Sequence, residues 1–193
     1  QVFRLPTLEL RAVWEGVLQE PTWLASDSHG HIYVLDRGLK RVLRFDSDGV
    51  PDAAYNGAMS QHAELTSPTA LAIDGKDILY ITDEQSNSVL RFDAVGQALG
   101  ALPQTGATAR PRALAAHGER IYVADAESGW IWVYHKGQGW LGRLPDYRGP
   151  VSGVAFDAAG RLYIKPGLDD AYDVLDADAA YVASGMLTAG PFD

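Results

Sequence analysis

Short runs of alternating apolar and polar residues recur along the chain, and turn-forming residues separate them. Four of these runs centre on a tyrosine, and successive tyrosines are 47, 42 and 41 positions apart. They are Tyr33, Tyr80, Tyr122 and Tyr163. Twelve positions after each tyrosine stands a large apolar residue; the four are Phe45, Phe92, Tyr134 and Leu175. Because hairpin length fixes strand register, this constant offset predicts the same strand pair in every copy.

Each copy also begins in the same way. A small alanine precedes the tyrosine by eight positions in three copies and by seven in the third; the four are Ala25, Ala72, Ala115 and Ala155. Turn formers such as Asp27–Gly30 lie between the alanine and the tyrosine. The pattern predicts three β-strands and a weaker fourth per copy, and no window keeps a helical period over three turns. A four-stranded repeat of about 40–45 residues has the size of a propeller blade.

The repeated sequence resembles the NHL repeat. The first copy, Pro21–Gly49, carries nearly the whole family pattern, and the second, Pro68–Gly96, is close to it. The later copies depart from it, since Trp130 stands in place of an arginine and Pro166 in place of an aspartate. The resemblance implies an all-β propeller built of NHL-type four-stranded blades. It leaves function open, because such propellers include enzymes, RNA binders and protein-binding platforms.

The blade boundaries follow from the repeat. We expect an N-terminal strand segment at residues 1–20, a tail at 189–193, and four blades between them. The blades are expected at about 21–67, 68–110, 111–149 and 150–188.

Two features concern the rest of the ring. The alternating residues between Phe3 and Val17 predict the outer strand of an earlier blade, which is one strand too many for a compact four-bladed ring. We therefore expect a partial ring rather than a closed four-bladed one, with the remaining blades of a larger chain among the partners. The C-terminal stretch Leu187–Asp193 is similar to a segment of phage-tail-like proteins that carry blades of this type.

Composition and charge restrict the partners. The chain has a net charge of −9 without a cluster of lysines or arginines, which argues against nucleic acid as a partner. It has no cysteine, which excludes disulfides and thiolate chemistry. No apolar stretch approaches the roughly 20 residues that a membrane helix needs, and no signal segment is visible. We expect a soluble protein without a nucleic-acid or membrane partner, and the compartment stays open.

Acidic residues are predicted to gather on one rim, in the loops that follow the second strands. They are Asp36, Asp83, Glu84, Asp125, Glu127, Asp169 and Asp170. Clustered carboxylates can hold a hard cation or a basic partner. Alternatively, the three aspartates at one repeat position cap their own loops by accepting backbone N–H bonds. We favour capping and expect no cofactor. The less regular residues are the candidates for partner contacts; these are Glu84, Glu127, Asp169 and Asp170.

Three tryptophans crowd the third blade. Trp130 and Trp132 share one strand face, where they either pack against a neighbouring blade or form an aromatic anchor for a partner.

The residues give little sign of catalysis. His29, His31 and His117 map to turns opposite the acidic rim and on non-adjacent blades, so three ligands for a catalytic zinc do not converge. The predicted inner strands carry mostly alanine and glycine, which leaves no acid or base in a channel. We expect a non-catalytic interaction or structural module. The alternative is a metal-dependent lactonase or lyase of the NHL-like propeller superfamily.

Overall fold

The structure is a computed structural model that describes residues 2–4, 9–12, 17–62, 64–102, 110–144, 149–167, 171–176 and 181–186. The described residues form antiparallel sheets whose strands follow one another in chain order, together with one short helix. The chain divides into two compact units, Gln1–Ala101 and Leu102–Asp193. We call the four larger sheets blades 1 to 4.

The first unit contains a hairpin and two blades. The hairpin pairs β1 (Val2–Arg4) with β2 (Glu9–Ala12). Blade 1 comprises β3 (Pro21–Ser26), β4 (Ile32–Asp36) and β5 (Arg41–Phe45), and helix α1 (Ala53–Met59) follows it. Blade 2 comprises β6 (Pro68–Ile73), β7 (Leu79–Asp83), β8 (Ser88–Phe92) and β9 (Ala98–Ala101).

The second unit contains the other two blades. Blade 3 comprises β10 (Pro111–His117), β11 (Arg120–Asp125), β12 (Ile131–His135) and β13 (Gly139–Arg143). Blade 4 comprises β14 (Val151–Phe156), β15 (Leu162–Pro166), β16 (Ala171–Leu175) and β17 (Tyr181–Met186).

The register of the first two strands is the same in every blade. The recurrent alanine lies opposite the recurrent tyrosine, for example Ala25 opposite Tyr33 and Ala155 opposite Tyr163. Ala72 and Tyr80, and Ala115 and Tyr122, pair in the same way. The repeat derived from the sequence therefore corresponds to a repeated strand register.

The N-terminal segment differs from the single outer strand that we expected. It forms two strands, β1 and β2, which pair with each other and with no other described strand. Pro6 lies in the sequence between them. Because proline has no amide hydrogen to donate to a neighbouring strand, one continuous paired strand through this position is disfavoured.

Blade 1 also departs from the prediction, since α1 takes the place of the weak fourth strand. The Asp52 side chain caps the helix by accepting the backbone N–H of Tyr55 at 3.0 Å. The same carboxylate accepts the Arg44 guanidinium, with Nε at 3.0 Å. Helix α1 packs beside β5, and a helix in this position protects an edge strand from pairing with another chain.

Asn56 on this helix supplies hydrogen bonds to the backbone of β5 that a fourth strand would otherwise supply. Its Oδ1 accepts the backbone N–H of Arg44 at 2.7 Å, and its Nδ2 donates to the Arg44 carbonyl at 3.2 Å. The side-chain amide thus bonds both backbone groups of one strand residue. Buried backbone groups need such partners, which explains how the blade dispenses with a strand here.

Helix α1 also fills the space between blades 1 and 2. Tyr55 and Met59 are each 1% exposed, and they pack with Tyr33 of blade 1 and Leu71 and Phe92 of blade 2 in one core. Burial raises the pKa of the Tyr55 phenol, so this side chain is neutral. The helix is therefore part of the interface between the blades.

Replacing Asn56 with alanine is expected to destabilise the protein by about 1–3 kcal/mol, because the Arg44 N–H loses the amide oxygen that it bonds and the Arg44 carbonyl keeps only the Asp52 N–H, at 2.9 Å. The measurement is chemical unfolding followed by tryptophan fluorescence. Gln61→Ala, at an exposed position just past the helix, is the control and should change little. Equal unfolding midpoints for Asn56→Ala and the unchanged protein would show that the amide does not replace a strand.

Candidate functional site

The recurrent aspartates of the predicted acidic rim are buried. Asp36 and Asp83 are 0% exposed and Asp125 is 1% exposed. Asp36 accepts the backbone N–H groups of Gln19 at 2.6 Å and Glu20 at 3.0 Å, which lie just before β3. It also accepts the N–H of Leu39, in the loop after β4. One carboxylate therefore joins the start of the blade to its middle loop.

Blades 2 and 3 repeat this arrangement. Asp83 accepts the N–H groups of Thr66 and Ser67, both at 2.7 Å, and of Ser86 at 2.9 Å. Asp125 accepts the N–H of Arg110 at 2.8 Å and of Ser128 at 2.7 Å. The capping interpretation is confirmed for all three aspartates, and they are not available as a surface cluster.

The hydrogen bonds also set the charge of these carboxyls. Burial alone would raise the pKa of Asp83, but the hydrogen bonds from Ser86, Ser67 and Thr66 outweigh it and hold the pKa below its usual value. The same balance, with burial opposed by backbone hydrogen bonds, lowers the pKa of Asp36. Both side chains are therefore carboxylates at neutral pH.

A second recurrent aspartate, in the first turn of three blades, bonds the recurrent tyrosine. The hydroxyl of Tyr33 donates to Asp27 at 3.1 Å, and Tyr80 donates to Asp74 at the same distance. Tyr163 donates to Asp157 at 3.3 Å. We did not expect this pair, although a constant offset of six residues in the sequence signals it.

Blade 3 has His117 in place of this aspartate. The His117 ring stacks on Phe156 of blade 4, with 4.7 Å between ring centroids. Gly160 of blade 4 lies against the same ring: a Cβ there would be 3.1 Å from His117 Nε2. His117 therefore packs between two blades.

A group with the composition of a metal site occurs in the first unit. Ligand atoms of Asp27, His29 and Asp77 all lie within 4.8 Å of one another. Asp77 has a φ of +58°, where the equivalent positions in blades 1 and 4 carry glycine. Its carboxylate accepts the Ser28 N–H at 2.9 Å and the Ser28 hydroxyl at 2.8 Å. Asp77 therefore joins blade 2 to the first turn of blade 1.

The Asp27 carboxylate has no lone pair left for a cation. Its Oδ1 accepts the N–H groups of His29 and His31, and its Oδ2 faces His31 Nδ1 at 2.7 Å and the Tyr33 hydroxyl. Since a carboxylate offers about four acceptor positions, these contacts saturate it. The two remaining groups are fewer than the three protein ligands of a catalytic zinc.

The predicted partner residues lie at several places. Glu84 is partly buried and Glu127 is exposed, each in the loop after the second strand of its blade. Asp169 and Asp170 lie outside the described residues. The structure therefore brings the three recurrent aspartates into capping roles and leaves Glu127 as an exposed acidic candidate.

The tryptophans of blade 3 are only partly accessible to a binding partner. Trp130 lies under the Arg143 guanidinium, 3.6 Å from the ring centroid, and both Trp130 and Trp132 are partly buried. Trp132 is tilted against Trp140 at 6.3 Å. Trp140 is 42% exposed and its neighbour Leu141 is 46% exposed, so this edge of blade 3 presents the most accessible aromatic ring of the three.

Comparison with known proteins identifies the fold. No family model matches the chain, and no curated protein matches it. A streptogramin B lyase structure superposes with a TM-score of 0.67 over 90% of this chain and 57% of its own length, at 10% identity. Hydrazine synthase of Kuenenia stuttgartiensis gives 0.63 over 91% and 53%, at 15% identity. Virginiamycin B lyase from Staphylococcus aureus gives 0.62 over 88% and 56%, at 12% identity.

These similarities, at low identity, establish architecture. The chain is an all-β protein of the β-propeller class with four blades, as the repeat predicted. It spans a little over half the length of the structures that it matches. Among the described residues, no helix is long and apolar enough to cross a membrane.

The buried carboxylates make stability depend on pH. A carboxyl whose pKa is lowered by folding stabilises the protein above its unfolded pKa, near 3.9, and this stability is lost as the pH falls through the folded value. We expect the melting temperature to fall below about pH 4. Asp83→Asn should lower stability at pH 7 by about 1.5–3 kcal/mol and weaken this acid dependence.

Thermal unfolding monitored by circular dichroism between pH 7 and pH 3 measures both effects. Glu127→Gln, which changes an exposed carboxyl, is the control. Parallel pH profiles for Asp83→Asn and the unchanged protein would contradict the role assigned to the Asp83 carboxylate.

Proposed function

We propose that this chain is a non-catalytic propeller module that binds a protein partner. The observation that carries this proposal is that the recurrent aspartates form hydrogen bonds within the blades. The carboxylates of Asp36 and Asp83 accept backbone N–H bonds and cap their loops. The acceptor positions of Asp27 are taken by groups of its own turn and by the Tyr33 hydroxyl. These groups serve the architecture of the blades, which supports a non-catalytic role.

The surface best suited to a partner is the outer strand of blade 3. Trp140 and Leu141 are adjacent and exposed, and Trp132 lies beside Trp140. Tryptophan contributes large binding energies at protein interfaces, because it buries a wide apolar surface at little entropic cost. Glu127, in the loop before β12, adds a charged group to the same blade.

We also propose that this module belongs to a larger assembly. The resemblance of the C-terminal residues to phage-tail-like proteins supports a role in a larger assembly of that kind. Leu187–Asp193 lies outside the described residues, so this part of the proposal rests on sequence alone. The partner is then another component of the assembly or the remaining blades of a larger chain.

A metal-dependent lyase or lactonase is the competing function. One of the similar structures is a streptogramin B lyase, and two are virginiamycin B lyases, one of them a catalytically inactive form solved with quinupristin. That similarity is one of fold, because identity is 10–12%. In the described part of the chain, the one group with suitable ligand types contains the saturated Asp27.

Trp140→Ala is expected to weaken partner capture by about tenfold, because an exposed aromatic anchor is removed. The measurement is affinity purification of the protein from its native source, followed by quantitative mass spectrometry of the captured component. Leu99→Ser is the matched control, because Leu99 is also 42% exposed and lies on the outer strand of blade 2.

Equal losses for Trp140→Ala and Leu99→Ser would contradict the assignment of the surface. The non-catalytic part is tested separately, by incubating the protein with quinupristin and divalent cations. We expect the compound to stay unchanged by mass spectrometry, and its conversion would favour the lyase instead.

A further inference from the structure

Consecutive blades meet through their inner strands within each unit. In the first unit β6 lies against β3, and in the second unit β14 lies against β10. Leu71 on β6 is 1% exposed, and it belongs to the core that Ala25 and Tyr33 of blade 1 help to form. The joint therefore places an aliphatic residue of the later blade in one core with the small alanine and the tyrosine of the earlier one.

The inner strand of blade 1 carries this aliphatic residue in an exposed position. Leu24 occupies the repeat position of Leu71, Leu114 and Val154. Leu24 is 64% exposed, whereas those three are 1%, 1% and 6% exposed. Its neighbour Ser26, which points the same way along the strand, is also exposed.

The open part of this side of blade 1 is confined to the inner strand. Val34 and Leu43, which lie further out, are 1% and 3% exposed and pack with Leu18 and Leu39. A partner on this side therefore has to reach Leu24 and does not need to cover the whole blade.

Blade 4 presents the complementary half of the joint. Ala155 is exposed, whereas Ala115 at the same position of blade 3 is 5% exposed. Tyr163 is partly exposed, whereas its counterparts in the other blades are 1%, 2% and 7% exposed; these are Tyr33, Tyr80 and Tyr122. This side of blade 4 therefore has the alanine and the tyrosine of a blade joint, and both are more exposed than their counterparts in blade 3.

The same side of blade 4 is more polar than its counterparts. Lys165 and Tyr172 occupy the positions of Leu35 and Val42, which are both 0% exposed in blade 1. A polar surface of this kind suits an interface that forms and dissociates rather than a permanent core.

We propose that this surface of blade 4 binds blade 1 of a second copy of the chain, with Leu24 against Ala155 and Tyr163. The interface is head-to-tail, because two different sides meet. We expect this interface to resemble the joint between blades 1 and 2, in which the same residue types meet. The proposal is independent of the Trp140 surface and goes beyond the proposed function.

The absence of cysteine from the chain makes a direct test available. Leu24→Cys and Ala155→Cys are made as separate variants and treated with a short bis-maleimide, alone and mixed. We expect a product of twice 20.9 kDa that forms efficiently in the mixture. Each variant alone should give little, because a head-to-tail interface does not bring two identical positions together.

Two results would overturn the proposal. One is the absence of the mixed product together with a monomer in sedimentation equilibrium across the accessible concentrations. The other is a cross-linked product of monomer mass from the double variant Leu24→Cys/Ala155→Cys, which would place the two positions together within one chain.

A second measurement distinguishes the proposed interface between two copies from nonspecific association. Leu24→Asp should weaken self-association by about tenfold or more, because it places a charge in an apolar contact. Val95→Asp is the matched control, because Val95 is 63% exposed and lies in a turn of blade 2. Equal weakening by both variants would count against the proposed interface.

Discussion

One buried carboxylate in each of three blades ties the segment that enters the blade to the loop after its second strand. The loops of a propeller carry backbone N–H groups that no strand partner satisfies, and burying them without an acceptor is costly. Asp36, Asp83 and Asp125 supply that acceptor at nearly zero exposure. The regular loop geometry, the ordinary charge state of the carboxylate and the pH dependence of stability all follow from this arrangement.

Blade 4 shows which part of the arrangement can be replaced. Pro166 stands where the other blades have aspartate, yet the backbone bond across the same position remains, from Gly167 N–H to the Pro150 carbonyl at 2.8 Å. The corresponding bond in blade 1 joins Arg37 N–H to the Glu20 carbonyl at 2.9 Å. The backbone bond is thus shared by the blades, and in blades 1 to 3 the carboxylate reinforces it.

The repeat made much of the fold predictable. A constant offset between tyrosine and the following apolar residue fixes the register of the second and third strands. In all four blades the residue before the tyrosine lies opposite that apolar residue. The helix after β5 was not predictable from periodicity, because it has only seven residues. Its presence depends on the Asp52 cap and on the bonds between Asn56 and Arg44, which are visible only when the segment has folded back along the strand.

The candidate site was less predictable than the fold. Capping by the three aspartates could be inferred, because a residue at a constant repeat position is most simply explained by a structural role. The accessible Trp140 could not be distinguished from Trp130 and Trp132 by sequence, since exposure depends on which ring stacks under Arg143. The role of Asp77 as a bridge to Ser28 likewise required the two blades to be placed side by side.

The central claim is that hydrogen bonds to buried carboxylates organise the blades. The most direct test is a carbon-13 NMR titration of the aspartate side chains. We predict that Asp36 and Asp83 titrate below the ordinary aspartate pKa, because their backbone hydrogen bonds outweigh the effect of burial. Ordinary or raised pKa values for these two carboxyls would contradict the account.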